Sequence, residues 1–232
     1  MNKVMVITGT RKGIGRYLSE YYLTKDFKVI GCSRSESDLS HQNYEHYCLD
    51  VSDERVVKKM IAATTKKHKK IDFLINNAGI ASMNHSLLTP LSTVEKVFRT
   101  NVFGTFLFCR EVAKVMSRKK KGRIINFSSV AVPLDLEGEA VYAASKAAIE
   151  KLTTILAKEF GENGITVNAI GPSPIRTALI KNVGETKLNE LLKQQAIAKF
   201  GSFDDVANVI DFYISEKSDI VTGQIIYLGG VF

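Results

Sequence analysis

Val4-Met5-Val6-Ile7-Thr8-Gly9-Thr10-Arg11-Lys12-Gly13-Ile14-Gly15 is an apolar β-type run, then a glycine-rich turn, then the start of a helical pattern. Glycines at a strand-to-helix turn let the backbone bend tightly and approach a pyrophosphate, which then sits at the helix N-terminus. The spacing here is G-x-x-x-G-x-G, so the generic G-x-G-x-x-G fingerprint does not strictly apply, and a simple tight turn stays open as a reading. Outward from this turn the chain alternates in the same way. Further strand candidates are Lys28–Ser33, Tyr44–Leu49, Phe73–Asn76, Arg123–Ser128, Thr166–Ile170 and Ile225–Leu228. Helical patterns cover roughly Ile14–Thr24, Glu54–Lys67, Val94–Ser117, Val141–Phe160 and Asp204–Ser215. Apolar strands separated by helices predict a parallel sheet covered on both faces, here seven-stranded. Right-handed crossovers make it a single doubly wound α/β domain over residues 1–232. Ligands of such sheets bind beyond the carboxyl ends of the strands.

Bulk properties agree. The 232 residues allow one substantial core, and 45 % hydrophobic with 24 % charged residues is a globular composition. No run is long and apolar enough to span a membrane, and the run before Thr8 is too short for a signal-peptide core. Of Cys32, Cys48 and Cys109, two fall in apolar strand-like runs, and none has metal-ligand spacing. They read as small core residues of a cytoplasmic protein. Much of the net charge of +8 comes from Lys66-Lys67-His68-Lys69-Lys70 and Arg118-Lys119-Lys120-Lys121. Both fall where a helix ends before a strand, which favours cations. No nucleic-acid motif accompanies them, so solvated helix ends are expected and nucleic acid is not.

The second strand ends at Cys32-Ser33-Arg34-Ser35. A site preferring NAD would place a carboxylate there for the ribose 2′-hydroxyl. Instead Ser33 and Arg34, with Lys12 in the glycine turn, suit a 2′-phosphate, so NADP(H) is expected over NAD(H). The third strand leads to Leu49-Asp50-Val51, an adenine contact by position. The fourth leads to Asn76-Asn77-Ala78-Gly79, a backbone-lined ribose floor, although Asp50 and Asn76 also suit turns.

After the fifth strand come Ser128-Ser129, and thirteen residues beyond Ser129 lies Tyr142, followed by Ala143-Ala144-Ser145-Lys146. On a helix Tyr142 and Lys146 share a face. Hydride transfer to a carbonyl needs a proton for the developing alkoxide, and a phenol supplies one. A cation one turn away is expected to lower the phenol's pKa, and Ser129 to hold the substrate oxygen.

These motifs together make the chain resemble the short-chain dehydrogenase/reductase family, in particular its small 3-oxoacyl-carrier-protein reductases, from Val4 to Gly230. The resemblance implies a catalytic tetrad of Asn101, Ser129, Tyr142 and Lys146. Asn101 helps hold a water that connects the lysine to solvent, and Lys146 also binds the nicotinamide ribose. Gly9, Arg11, Lys12, Gly13, Ile14 and Gly15 would form the phosphate turn, Ser33 and Arg34 the 2′-phosphate site. Asp50 and Val51 would sit at the adenine, Asn77, Ala78 and Gly79 at the adenosine-side wall. Pro172, Ile175 and Thr177 would meet the nicotinamide. Two departures stand out: Ser173 replaces the usual glycine after Pro172, and Tyr227-Leu228-Gly229-Gly230 lacks the common Asp.

The expected substrate cover is about 178–199, with Leu179, Ile180 and Val183, facing Pro133–Glu139, which carries Leu134, Leu136 and the acids Asp135, Glu137 and Glu139. Such covers are often mobile. The substrate would be a small carbonyl compound, either a 3-oxoacyl thioester or a keto-sugar-like ketone. An acyl carrier protein would dock at Lys119–Lys121. The resemblance also implies a homodimer or homotetramer through the helices bearing Asn101–Met116 and Tyr142–Phe160. A catalytically silent dinucleotide sensor or scaffold is the alternative in another class.

Overall fold

The computed structural model describes residues 3–177, 180 and 183–231. Strands β1 (Val4–Thr8), β2 (Lys28–Ser33), β3 (Tyr44–Cys48), β4 (Phe73–Asn76), β5 (Gly122–Phe127), β6 (Ile165–Gly171) and β7 (Ile225–Tyr227) form one sheet. Their order is β3-β2-β1-β4-β5-β6-β7, and every pairing is parallel. This is the predicted doubly wound sheet, with the order reversing at β1, where a crevice opens between neighbouring crossovers.

Alternation along β1 explains the two layers. Val4 and Val6 pack with Val57 and Met60 of α2 (Glu54–His68), Phe108 and Val112 of α4 (Gly104–Met116) and Leu156 of α5 (Ala140–Gly161). Met5 and Ile7 face the other way, toward Leu18 and Tyr22 of α1 (Gly13–Thr24) and Val206, Ile210 and Tyr213 of α7 (Phe203–Ile214). Each such side chain stabilises the fold by about 1.5–3 kcal/mol relative to leaving it exposed. The second layer is also tied by polar bonds. Asp211 of α7 accepts from Tyr21 (2.6 Å), Tyr22 (3.0 Å) and Lys25 (2.5 Å) at the end of α1.

Four expectations change. The helix predicted at Val94–Ser117 is α3 (Leu91–Phe98) and α4 joined by a π-helical turn, Arg99–Phe103. That turn buries Asn101 and brings Gly104 against Val51, whose methyl would lie 2.7 Å from an added Cβ. Cys48 ends β3 in an exposed position, because β3 is the sheet edge, while Cys32 and Cys109 are buried as expected. The cover contains a helix, α6 (Glu185–Lys193), that buries Leu188 and Leu192. Finally, Lys119–Lys121 precede the start of β5, whereas the strand's far end carries the site. Six residues of strand, about 20 Å, separate the two. Lys121 pairs with Glu216 (3.5 Å), and in the other basic stretch Lys67 and His68 pair with Glu45 (3.0 and 2.9 Å).

Candidate active site

The β1–α1 turn is built by close approach. Gly9 has φ +75°, a left-handed conformation that suits glycine. A Cβ on Gly15 would lie 2.3 Å from the Gly9 carbonyl oxygen and 2.4 Å from Asn77 Nδ2. Asn77 Nδ2 donates to the Thr8 carbonyl (2.8 Å) and the Gly9 carbonyl (3.3 Å), and Thr8 Oγ1 accepts from Ala78 N (2.9 Å). The turn and the end of β4 are thus one unit. Lys12, the residue before α1, makes no side-chain capping bond, so the first N–H groups of α1 face outward without an internal partner. Among the described residues, only Thr177 lies near the Cβ direction of Gly13, at 3.9 Å. This open cradle at a helix N-terminus fits a dinucleotide pyrophosphate.

At the end of β2, Arg34 is exposed and, like Arg11 and Lys12, pairs with no acid among the described residues. Ser33 Oγ donates to the Ser35 carbonyl (2.6 Å) and lies 3.1 Å from His46 Nε2. His46 Nδ1 is 2.8 Å from Tyr44 Oη, which donates to Thr10 (2.9 Å). A Tyr-x-His pair on β3 therefore braces both the glycine turn and the Ser33–Ser35 loop. Sequence reasoning missed it, although the period-two placement of Tyr44 and His46 puts both on one face. Asp50 is exposed and accepts from Ser52 N and Oγ, both at 2.8 Å, while Val51 is buried. Asn76 is no turn former: buried, it donates to Asn126 (2.9 Å), which donates to Thr153 of α5 (2.9 Å).

A cavity of about 860 Å³ opens beyond the carboxyl ends of β4, β5 and β6. It gathers Ile14, Asn77 and Gly79 with Ser129, Tyr142 and Lys146, and with Pro172, Ile175 and Thr177. Gly9, Arg11, Lys12, Ser33, Arg34, Asp50 and Val51 lie outside it, at the β1–α1 turn and the ends of β2 and β3. Tyr142 and Lys146 sit one turn apart on α5, both buried. The Ser129 hydroxyl, which accepts from Ala131 N (3.2 Å), lowers the Tyr142 phenol, but burial wins and pushes the phenol up to about 12. Lys146 Nζ donates to the Phe127 carbonyl (2.8 Å) and lies 5.8 Å from the centroid of the Tyr142 ring. Burial brings its ammonium down to about 8. The expected lowering of Tyr142 by Lys146 is therefore not what this geometry gives: desolvation dominates both groups. Asn101 uses its amide on Ile80, accepting from its N–H (2.9 Å) and donating to its carbonyl (3.0 Å), and also donates to Ser145 Oγ (2.9 Å). An added Cβ on Gly79 would lie 3.3 Å from Asn101 Oδ1 and 3.6 Å from Lys146 Nζ, so these groups surround one spot.

Two further contacts escaped the sequence. Glu150, one turn beyond Lys146 on α5, accepts from Ser128 and from Tyr227, tying the end of β5 to β7. Ser173, at the position of the missing glycine, is buried and donates to Gln195 (2.9 Å). Ala196 and Ile197 donate to the carbonyls of Gly230 and Gly229, each at 2.9 Å, so the far end of the cover is anchored. Ala178 and Leu179 of the expected cover lie outside the described residues; Ile180 and Val183 line the cavity.

Comparison with known proteins agrees with this geometry. Residues 3–188 match the short chain dehydrogenase family model. The chain is 30 % identical over 234 residues to the 3-oxoacyl-[acyl-carrier-protein] reductase of Vibrio cholerae, covering 98 % of this chain and 96 % of that protein. Among solved structures it resembles ElxO with NADP bound (TM-score 0.90, 30 % identity, 98 % and 97 % covered). It also resembles 4-hydroxyisoleucine dehydrogenase complexed with NADH (TM-score 0.89, 30 % identity, 99 % and 98 % covered). Among the described residues no helix is long and apolar enough to cross a membrane, and no three or more His, Cys, Asp or Glu side chains are grouped as metal ligands. The glycine cradle, the buried Tyr142–Lys146 pair and these matches lead to one assignment: the chain belongs to the short-chain dehydrogenase family, as an oxidoreductase that interconverts carbonyl and alcohol with a nicotinamide dinucleotide.

Proposed function

We propose that this chain is an NADPH-dependent ketone reductase in which Tyr142 donates the proton. The observation that carries this is the buried Tyr142 phenol, which lines one cavity with Ser129 and has Lys146 one turn away. NADPH, when bound, supplies the hydride that becomes the new C–H bond of the alcohol. The chain's own groups do the rest. Ser129 holds the carbonyl oxygen, and Tyr142 Oη passes its proton to that oxygen as the negative charge develops. A phenol held near 12 is fully protonated at neutral pH, which suits the reductive direction. Lys146, one turn from Tyr142 on α5, would return a proton toward it and bind ribose hydroxyls, and Asn101 braces the segment beside Gly79.

The turn Gly9–Gly15, including Arg11, Lys12 and Ile14, would hold the pyrophosphate. Asp50 and Val51 would meet the adenine, Asn77 to Gly79 the adenosine side, and Pro172, Ile175 and Thr177 the nicotinamide. Ser33, Arg34 and Lys12 favour a 2′-phosphate because exposed cations without acidic partners attract it. Substrate classes to screen are 3-oxoacyl thioesters and small ketones such as keto-sugars. Exposed Phe103, Phe106 and Ile155 on the two pairing helices support a homo-oligomer. Parallel fluorescence titrations with NADPH and NADH, followed by ketone reduction assays, test the reading. Tyr142→Phe should lower turnover by roughly 10²–10⁴ with NADPH affinity kept. Arg34→Asp should shift preference toward NADH. Unchanged turnover sinks the acid role, and unchanged preference sinks the 2′-phosphate site.

A further inference from the structure

Three acids stand on the substrate rim of a basic chain: Asp135, Glu137 and Glu139. Two are exposed, but Glu139 is only 9 % exposed and lines the cavity together with Tyr142. It directly precedes α5, yet its side chain makes no capping bond to that helix. Among the described residues its carboxylate has no hydrogen-bond or ion-pair partner, and burial alone raises its pKa. Neither cation among the described residues of the cavity lining answers it. Lys146 is turned to the Phe127 carbonyl, and Lys187 is exposed on α6. The same cavity lining carries apolar Leu136, Val130, Val183 and Leu188. A buried carboxylate in such walls is costly unless a cation or several donors meet it. Nothing described in the protein supplies them, and the cavity delivers a ligand to that spot.

We infer that Glu139 recognises an ammonium group on the substrate, so that the preferred ketone or secondary alcohol carries an amine within a few bonds of the reacting carbon. The inference rests on the reading of Tyr142 as the reacting end of the cavity. It separates this chain from a neutral 3-oxoacyl thioester, which has no group to complement a buried carboxylate. It also gives the amine a second effect. An ionised Glu139 opposes loss of the Tyr142 proton, and a paired ammonium removes that opposition.

The test is calorimetric titration of the protein, saturated with NADP⁺ or NAD⁺, with 1-amino-2-propanol and with 1,2-propanediol. These differ only in an amine for a hydroxyl. The expected wild-type result is at least tenfold tighter binding of the amine. Glu139→Gln, which keeps the shape and removes the charge, should bring that ratio close to one, and Glu139→Asp should retain part of it. Dinucleotide affinity of each variant checks that it is folded. A wild-type ratio near one, no binding of either compound, or a ratio unmoved by Glu139→Gln overturns the inference. Tyr142→Phe separates the two readings: it should keep the binding ratio and lose oxidation of the amino alcohol. If it still oxidises, the acid–base reading fails while the ratio still reports on Glu139.

Discussion

The β1–α1 turn and the substrate cover flank the same cavity and are built on opposite terms. At the turn, Gly15 has no room for even one added carbon, and Asn77 spends its amide pinning two carbonyls. In the cover, an added Cβ on Gly184 meets no described atom within 4 Å, and α6 is held by two buried leucines and an anchored far end. The difference teaches where tolerance lies. A pyrophosphate has one shape and needs one cradle, whereas a family of substrates needs a wall that can be rebuilt.

The contrast can be broken by substitution. Gly15→Ala drives a methyl into the Gly9 carbonyl, and overpacking of this kind costs about 1–3 kcal/mol. If that cost falls on the bound state, dinucleotide affinity drops roughly ten- to hundredfold. A titration showing unaltered affinity would mean that the turn is softer than its contacts indicate. Lys146 sharpens the comparison from the chemistry side. Its ordinary value of 10.5 falls to about 8 in the fold, so the folded chain holds this proton less tightly than the unfolded one. The penalty is fully present below about pH 8 and disappears as pH rises toward 10.5. It corresponds to about 3 kcal/mol, less about 1 for the bond to Phe127. Lys146→Met should therefore raise the stability of the dinucleotide-free protein at pH 7 by about 2 kcal/mol and flatten its rise between pH 8 and 10.5. Urea unfolding at several pH values measures both, and a destabilised variant would refute the cost assigned to the buried ammonium. The smallest effect belongs to the cover. Gly184→Ala should change unfolding free energy by no more than about 0.5 kcal/mol. A larger loss would show that the cover is packed as tightly as the turn.

The same contrast governs what could be read from sequence. The inner strands were legible because central parallel strands are apolar on both faces, the edge strands β3 and β7 from their β-type residues, and the glycine turn because few residues tolerate such crowding. The break at Arg99–Phe103 was not, since one wide turn leaves the 3.6-residue periodicity almost intact. Helix α6 offered only Leu188, Leu191 and Leu192 in nine residues, too few apolar positions to declare itself. Tyr142, Lys146 and Ser129 were legible as a spacing, but the sign of the Tyr142 shift depends on burial, which spacing does not report. Likewise Glu139 reads as one acid among three until the cavity singles it out. The lysines at 119–121 were legible as lying before β5, and the position of the cavity beyond the strand's far end is what sets them apart from it.

The bonds between α1 and α7 bear on how the molecule is made. Tyr21, Tyr22 and Lys25 meet Asp211 across sequence separations of 190, 189 and 186 residues. A ribosome delivers α1 among the first elements and α7 among the last, and contacts this distant slow folding. Until α7 emerges, the apolar face formed by Met5, Ile7 and Leu18 lacks its cover, so a chain arrested before residue 203 carries that surface bare. The β1–α1 unit that carries the cradle is thus synthesised early and covered late.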